Sequence, residues 1–214
     1  MISKQLQELG KKRIAPYPCE GFLLGGGNEE ADVLFVGEAP GRDELQTHKP
    51  FTGRAGANLN GFLKEAGLNR EDIYITSVVR SRPYKHDVKS SKKPIEERGN
   101  RTPTQKEIIA HAPLLDEMIN QLDPKLIVTL GAIALKRLVG PNINLQDVHG
   151  KPFCTRLLQL PSLESSKLVR GERQQHVFPT FHPASVFYNP TLATAITNDM
   201  RQLRSVLDWL HEQG

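Results

Sequence analysis

DVLFVGEAPGRDE, at residues 32–44, is the stretch that most directly predicts the fold. Residues 32–37 form a short, mostly apolar run, which is typical of a buried strand. Gly37, Pro40 and Gly41 then force a tight turn, whose backbone N–H groups can bind an oxyanion or a phosphate. The turn has neither the Lys-Ser/Thr pair of a P-loop nor the glycine spacing of a dinucleotide-binding fingerprint. Its sequence alone therefore does not identify which ligand it binds.

Three further apolar runs predict strands of the same kind, at Ile73–Val79, Leu126–Gly131 and Val177–Phe181. Helical periodicity lies between and after the runs, at Ala55–Ala66, Thr104–Leu122, Ala132–Val139 and Leu192–His211. Residues 84–99 and roughly 157–175 are predicted to be long loops, the first of them polar and flexible. Because strands alternate with helices, we expect a three-layer α/β/α sandwich with a central, mostly parallel four-stranded sheet, formed by residues 1–214 as a single domain.

Composition and cysteine usage narrow the class of protein. The chain has 214 residues, of which 38% are hydrophobic, and it contains no run of about 18 apolar residues that a membrane span requires. Residues 1–18 lack the apolar centre of a signal peptide. Cys19 and Cys154 form no Cys-x-x-Cys pair, which argues against a disulfide framework and a structural zinc site. We therefore expect a cytoplasmic monomer without membrane contact.

A basic segment follows the second predicted strand. Between Arg80 and Lys106 there are nine lysines and arginines against three acidic residues, although the whole chain carries a net charge of only +4. Such a segment can follow a phosphate backbone. The alternative is a solvated, mobile loop, and charge alone does not separate the two.

Two more segments carry residues that can contact a ligand. His182 follows the fourth predicted strand, and Pro183 restricts it to an extended conformation, which suits a side chain that projects from a strand end. The apolar residues 186–188 come next, in a loop flanked by prolines. Phe51 lies in a loop ahead of a helix, where its ring could stack on a planar ligand. Taken alone, each of these residues is more often structural than functional.

In their order along the chain, five stretches resemble the motifs of the family-4 uracil-DNA glycosylases. These stretches are GEAPGRDE, HKPFTGRAG, YITSVVRSRP, NRTPT and FHPASVFYNP. The family patterns are GE-x-PG, GRPF-x-G-x-AG, YITN-V-V-K-C-RPP, NR-x-P and FHPA-x-x-x-x-NP, and the resemblance runs from about Gly25 to Asp199. It implies base excision repair, in which the enzyme flips a uracil out of the DNA stack and hydrolyses its N-glycosidic bond.

The resemblance also assigns roles by position. His182 would donate a hydrogen bond to the uracil oxygen that gathers charge, and Glu38 would position water or stabilise the cationic sugar. The residues that would hold the base are Ala39, Pro40, Gly41, Phe51 and Ser77. The residues that would contact DNA are Arg80, Arg82, Arg101, Ser185, Val186 and Phe187, with the last two entering the duplex as a wedge.

Ser77 departs from the family pattern because it stands where the family has the asparagine of YITN. An asparagine amide can both donate to uracil O4 and accept from uracil N3–H. The serine hydroxyl is shorter and fixes direction poorly. We therefore expect weaker recognition of uracil, or a shift to another deaminated base such as hypoxanthine or xanthine.

A second departure concerns the four-iron four-sulfur cluster that the resemblance implies, which the family holds with four cysteines. Two of the cysteine positions are Ser81 and His111 here, and only Cys19 lies near the other pair. Because a cluster needs thiolate ligands, we predict that the chain has no cluster, no metal and no other cofactor. The insertion at about residues 84–99 falls beside the lost cluster, and we hypothesise that it takes over part of the contact with the DNA backbone.

Three functions are compatible with these motifs. The first is a cluster-free glycosylase that acts on single- or double-stranded DNA containing a deaminated base. The second is a catalytically degenerate DNA-binding or regulatory protein, and the third is a hydrolase of small nucleosides or nucleotides. The joint presence of Glu38, Phe51 and His182 favours the first, because a purely structural descendant has no physical need for all three.

Overall fold

The computed structural model describes residues 2–212, and its elements follow the predicted alternation of strands and helices. The strands are β1 (Cys19–Glu20), β2 (Gly26–Gly27), β3 (Val33–Gly37), β4 (Ile73–Ser77), β5 (Arg82–Pro83), β6 (Leu126–Leu130), β7 (Phe153–Gln159) and β8 (Val169–Thr180). The helices are α1 (Lys4–Ile14), α2 (Arg42–Thr47), α3 (Gly53–Glu65), α4 (Gln105–Leu122), α5 (Ala132–Val139), α6 (Leu145–Val148) and α7 (Leu192–Glu212). Short 3-10 turns lie at Arg70–Asp72, Ser90–Lys92, Ile95–Glu97 and Pro183–Phe187.

The main sheet has six strands in the order β2-β4-β3-β6-β8-β7. The four inner strands are parallel and are the four that the apolar runs predict. The two outer strands, β2 and β7, are antiparallel to their neighbours, so the expected four-stranded sheet is extended by one strand at each edge. β2 consists of two glycines, which carry no hydrophobic pattern that a sequence analysis could detect.

The prediction of a loop at roughly residues 157–175 is wrong, because most of this stretch belongs to an antiparallel hairpin of β7 and β8. The first half of β8 is polar and largely exposed, and β7 alternates between partly buried and exposed positions. This ribbon extends beyond the buried part of the sheet. Its sequence therefore lacks the continuous apolar run that identifies the inner strands.

Burial explains why the inner strands have such strongly apolar sequences. Every residue of β3 and β6 is buried, so both faces of the sheet are covered. The covering helices pack in pairs, α1 against α4 and α3 against α7. The capping box predicted at the start of α4 is present, since Thr104 and Glu107 each bond to the other's backbone N–H. Within residues 2–212, no helix is long and apolar enough to cross a membrane.

The carboxyl ends of β3, β4, β6 and β8 meet at one edge of the sheet, as parallel pairing requires. Backbone bonds continue past the strand ends. The N–H of Val79 donates to the carbonyl oxygen of Glu38 at 3.1 Å, and the N–H of Gly131 donates to that of Thr180 at 2.8 Å. The segments that follow these strands are therefore held side by side, and they form the candidate site.

The insertion at residues 84–99 is irregular, but it is attached to the rest of the protein through Arg82. The buried Arg82 guanidinium donates to the carbonyl oxygens of Ile95 and Arg98, both at 2.8 Å, and to Asn100 Oδ1 at 2.9 Å. It also forms an ion pair with Glu20, whose Oε1 accepts from Nε at 2.6 Å. A buried charge requires such partners, so these bonds attach the C-terminal part of the insertion, and the predicted flexibility of the loop stays a prediction.

Candidate active site

Phe51 provides a fixed aromatic surface at this edge of the sheet. Its backbone is left-handed, with φ at 52°, a conformation that costs a non-glycine residue on the order of 1–3 kcal/mol. Glu44 Oε1 accepts its N–H at 2.6 Å, and Arg70 donates to its carbonyl oxygen at 2.7 Å. Glu44 Oε2 accepts the N–H of Gly41 at 2.6 Å. One carboxylate therefore joins the turn after β3 to the aromatic residue.

Two glycines allow the backbone to approach Phe51 closely. A Cβ on Gly37 would lie 3.0 Å from the Phe51 ring, and a Cβ on Gly56 would overlap the Phe51 carbonyl oxygen. The ring therefore lies directly against the end of β3, while the start of α3 lies against its backbone. A cavity of 690 Å³ opens beside it, with Ile75 and Arg70 among its lining residues.

His182 lies next to Phe51, with its ring centroid 5.4 Å from that of Phe51 and the two planes at 33°. Its Nδ1 accepts the N–H of Ala184 at 3.1 Å, and burial lowers its pKa to about 4. The imidazole is therefore neutral at pH 7 and carries its hydrogen on Nε2. Asn58 of α3 supports this arrangement by donating to the carbonyl oxygen of Pro183 at 3.2 Å.

Glu38 directly follows β3 and is partly buried. Burial raises the pKa of its carboxyl group, and the nearby Thr102 side chain partly offsets that increase. A partly desolvated carboxylate of this kind is a stronger base than one in bulk water. Thr102 belongs to the NRTPT stretch, but nothing in its sequence position indicated that it would lie beside Glu38.

The turn after β3 offers fewer backbone donors than the sequence predicts. Gly41 donates its only N–H to Glu44, and Pro40 has none, so neither can hold a base through its amide. Ala39 keeps an amide in this turn and is partly buried. The prediction that backbone amides of Pro40 and Gly41 hold a base is therefore wrong, and base binding by the Ala39 amide stays a prediction.

Of the two residues predicted to form a wedge, Val186 and Phe187, only Phe187 is exposed. Val186 packs against the core, whereas Phe187 is 40% exposed and Tyr188, which sequence reasoning left without a role, is 90% exposed. Arg54 lies over the Phe187 ring at 4.3 Å. The Ser185 hydroxyl donates to the carbonyl oxygen of His182 at 2.7 Å, so Ser185 stabilises the turn and has no free hydrogen for DNA.

The three arginines predicted to bind DNA are either buried or fully hydrogen-bonded to protein groups. Arg80 and Arg82 are completely buried. Arg101 uses all five N–H groups on protein partners, including a bidentate pair with Glu107. A count of basic residues cannot distinguish a buried arginine from an exposed one, which is why these predictions are wrong. The exposed basic residues of the segment are all lysines, four in the insertion and one at the start of α4, namely Lys85, Lys89, Lys92, Lys93 and Lys106.

One of the positions at which the family holds its cluster, His111, forms part of a buried polar network here, whereas the buried Ser81 hydroxyl has no hydrogen-bond partner in the described part of the chain. His111 is completely buried, with Nδ1 accepting the N–H of Arg80 at 2.7 Å and Nε2 lying 3.2 Å from the Gly10 carbonyl oxygen. Ser81 is also buried, and burial raises the pKa of the Cys19 thiol to about 12. Among the described residues, no three His, Cys, Asp or Glu side chains are grouped so that they could hold a metal ion.

His149, which the sequence places in a turn, supports the strand that carries His182. Its Nδ1 lies 2.9 Å from Asp199 Oδ1, while Asp199 Oδ2 accepts the hydroxyl of Thr180 at 2.6 Å. Its ring also packs on Phe181, at 4.5 Å between centroids. These contacts tie the end of β8 to α7, immediately before His182.

The sequence of the chain is similar to those of several known proteins. The family model of the uracil DNA glycosylase superfamily matches residues 24–210. A type-4 uracil-DNA glycosylase of Sulfurisphaera tokodaii is 35% identical over 96% of this chain and 81% of its own length. The type-4 enzymes of Saccharolobus solfataricus and Thermotoga maritima are 32% and 34% identical, over 97% and 86% of this chain and 85% and 82% of their own lengths. The chain therefore belongs to the uracil-DNA glycosylase superfamily.

Proposed function

We propose that the chain is a DNA N-glycosylase that flips uracil or a related deaminated base out of DNA and hydrolyses its N-glycosidic bond. The observation that carries the proposal is the pairing of the Phe51 and His182 rings, 5.4 Å apart, beside the turn that holds Glu38. This arrangement brings an aromatic ring, a neutral hydrogen-bond donor and the residue that bears a carboxylate to one region at the strand ends. Those are the groups that excision of a planar base requires.

The spacing of the two rings restricts how a base can bind. Their centroids lie at the distance of a direct aromatic pair, so a third ring does not fit between them. The base therefore lies with one face on Phe51 and one edge toward His182 Nε2. In that position a base oxygen can accept the hydrogen that Nε2 carries.

The chemistry then follows from where charge develops. As the N-glycosidic bond breaks, its electron pair moves to the base and leaves an oxocarbenium-like sugar. The neutral His182 donates to the base oxygen that becomes negative, which is worth on the order of 3 kcal/mol in a site without bulk water. Glu38 orients a water molecule and takes its proton as the water oxygen bonds to the sugar carbon.

The assay uses oligonucleotides with one uracil, hypoxanthine or xanthine, in single- and double-stranded form. Abasic sites are cleaved with alkali and the products are separated by length. Cleavage that depends on His182 supports the proposal. DNA binding that weakens with salt, without cleavage of any substrate, would instead indicate the degenerate DNA-binding protein.

Phe187 and Tyr188 are proposed to fill the gap left by the flipped nucleotide, because they are exposed aromatic residues adjoining the turn that carries His182. Phe187→Ala is expected to lower excision from duplex DNA by roughly tenfold, while excision from single strands changes little, since only the duplex has a stack to fill. The measurement is kcat/KM on both substrates. Trp209→Ala, which removes another exposed aromatic on α7, is the control. Equal losses on both substrates would contradict the wedge.

We also propose that the chain functions without an iron–sulfur cluster. The residues at the cluster positions do not fit such a group. Ser81 has no thiolate, and both ring nitrogens of His111 face backbone partners, the N–H of Arg80 and the carbonyl oxygen of Gly10. The network links α1, the segment after β4 and α4, which are distant in sequence. Elemental analysis of the purified protein for iron tests the proposal, and stoichiometric iron would refute it.

His111 should make the stability of the protein sensitive to acid. Burial lowers its pKa from an ordinary 6.5 to about 3, so the unfolded chain binds a proton before the folded one does. The contribution of neutral His111 to the free energy of unfolding is therefore full above about pH 6.5. It falls as the pH drops toward 3, by about 1.4 kcal/mol per pH unit for this one group. His111→Asn should lower the free energy of unfolding at pH 7. It should also make that free energy fall less steeply between pH 6 and 4, as measured by urea unfolding. His86→Asn, at an exposed position, is the control, and equal slopes in wild type and His111→Asn would contradict this account.

A further inference from the structure

Ser77 lies on the same face of the sheet as the Phe51 ring. It is in register with Gly37 on the neighbouring parallel strand, and the Phe51 ring lies against Gly37. Residues in register on adjacent strands point to the same face. Ile75, two residues earlier on β4, lines the cavity beside Phe51, which is a second and independent indication of the same orientation. Ser77 is also the one residue of β4 that is not fully buried.

The Ser77 hydroxyl can only accept a hydrogen bond from such a ligand. Its oxygen lies 2.8 Å from the carbonyl oxygen of Val79. A carbonyl oxygen has no hydrogen to give, so the hydroxyl must donate its only hydrogen there. What remains toward the cleft is a pair of oxygen lone pairs. A base at this position is therefore recognised by an N–H group, and its carbonyl oxygen finds no donor on Ser77.

Base chemistry determines which ligands satisfy an acceptor of this kind. Uracil has a ring N–H at N3, and hypoxanthine and xanthine have one at N1. Cytosine and adenine have a lone pair at the corresponding atom, which would repel the serine oxygen. Guanine shares the N1–H, but it is stacked and fully paired in DNA, so flipping it costs more than flipping a mispaired deaminated base.

The distance between the glycosidic bond and the ring N–H distinguishes uracil from the deaminated purines. The ring N–H of a purine lies further from the glycosidic bond than that of uracil, because the purine has a second ring in between. Serine is shorter than the asparagine of the family pattern. A longer base is therefore needed to bring a ring N–H within reach of Ser77, and uracil stops short of it.

We infer that Ser77 makes the site selective for a deaminated purine, hypoxanthine or xanthine, by accepting its N1–H. This inference rests on the proposed glycosylase function and names the substrate class of the same site. Ser77 is here a specificity residue that touches the base, and the chemistry is left to Glu38 and His182.

The test compares kcat/KM for hypoxanthine and uracil in otherwise identical duplexes, using wild type, Ser77→Ala and Ser77→Asn. Wild type is expected to prefer hypoxanthine by at least about tenfold, which corresponds to one well-made hydrogen bond. Ser77→Ala should lower hypoxanthine excision by roughly tenfold and leave uracil excision within about threefold. Ser77→Asn should shift the preference to uracil. Ser166→Ala removes an exposed serine hydroxyl elsewhere and should change neither rate.

Selectivity through Ser77 and glycosylase activity itself are separated by the outcome of this test. A wild type that excises uracil faster than hypoxanthine, or a Ser77→Ala variant that keeps the wild-type ratio, overturns the inference while the enzyme remains active. If wild type and Ser77→Asn both release no base from any duplex, the proposed function itself fails and this inference fails with it. Urea unfolding of each variant verifies that lost activity is not lost folding.

Discussion

Replacing His182 with alanine is expected to lower the rate of base excision by about 100- to 1000-fold, the usual effect of removing one donor from a charge-stabilising site. The reason lies in how the ring is held. Its Nδ1 accepts from Ala184, and burial lowers its pKa to about 4, so Nε2 presents a hydrogen at neutral pH without a positive charge. Single-turnover kinetics on the best substrate would measure the chemical step directly.

Two comparisons make the His182 experiment decisive. His182→Gln keeps a side-chain N–H that can donate, and it should retain more activity than His182→Ala. His86→Ala removes an exposed histidine from the insertion and should leave the rate unchanged. If the alanine variant keeps a rate within threefold of wild type, then His182 is not the donor, and the pairing of its ring with Phe51 has a structural purpose only.

Gly56→Ala is expected to reduce excision by about 100-fold, because its new methyl group overlaps the carbonyl oxygen of Phe51. That oxygen also accepts from Arg70, so relieving the overlap moves the aromatic surface on which the base lies. A displacement of about 1 Å at a binding surface is sufficient for a loss of this size.

Gly61→Ala provides a matched control on the same helix. A Cβ on Gly61 meets no atom within 4 Å, and the residue is exposed. Alanine should therefore stabilise α3 by about 0.5–1 kcal/mol and leave excision unchanged. Thermal unfolding and kcat/KM are measured for both variants. Equal activity of Gly56→Ala and Gly61→Ala would show that the position of Phe51 does not control the reaction.

The inner part of the fold could be predicted from the sequence because its residues are buried on both sides. β3, β4 and β6 appear as short apolar runs for this reason, and α5 was predicted with its observed ends. The β7–β8 hairpin was missed because most of it faces solvent on at least one side. A hydrophobic pattern indicates burial, so it does not identify elements that extend beyond the core.

The candidate site was predicted in part. The motifs predicted that Phe51 and His182 lie close together, and the structure confirms it. The prediction succeeded because ligands bind beyond the carboxyl ends of parallel strands, where both segments lie. Glu44 and Asn58 were left without roles, although their side chains fix Phe51 and the turn after His182. Side-chain contacts between distant segments depend on packing, which no local pattern contains.

The motifs at the strand ends identify the family and the class of chemistry without reference to any coordinates. The availability of each charge for a ligand depends instead on tertiary packing. That packing buries Arg80 and Arg82, occupies every donor of Arg101, and directs the single hydrogen of Ser77 to Val79. The physical reason is that charge and hydrogen-bonding capacity belong to a residue type, whereas exposure and the choice of partner depend on how the whole chain packs.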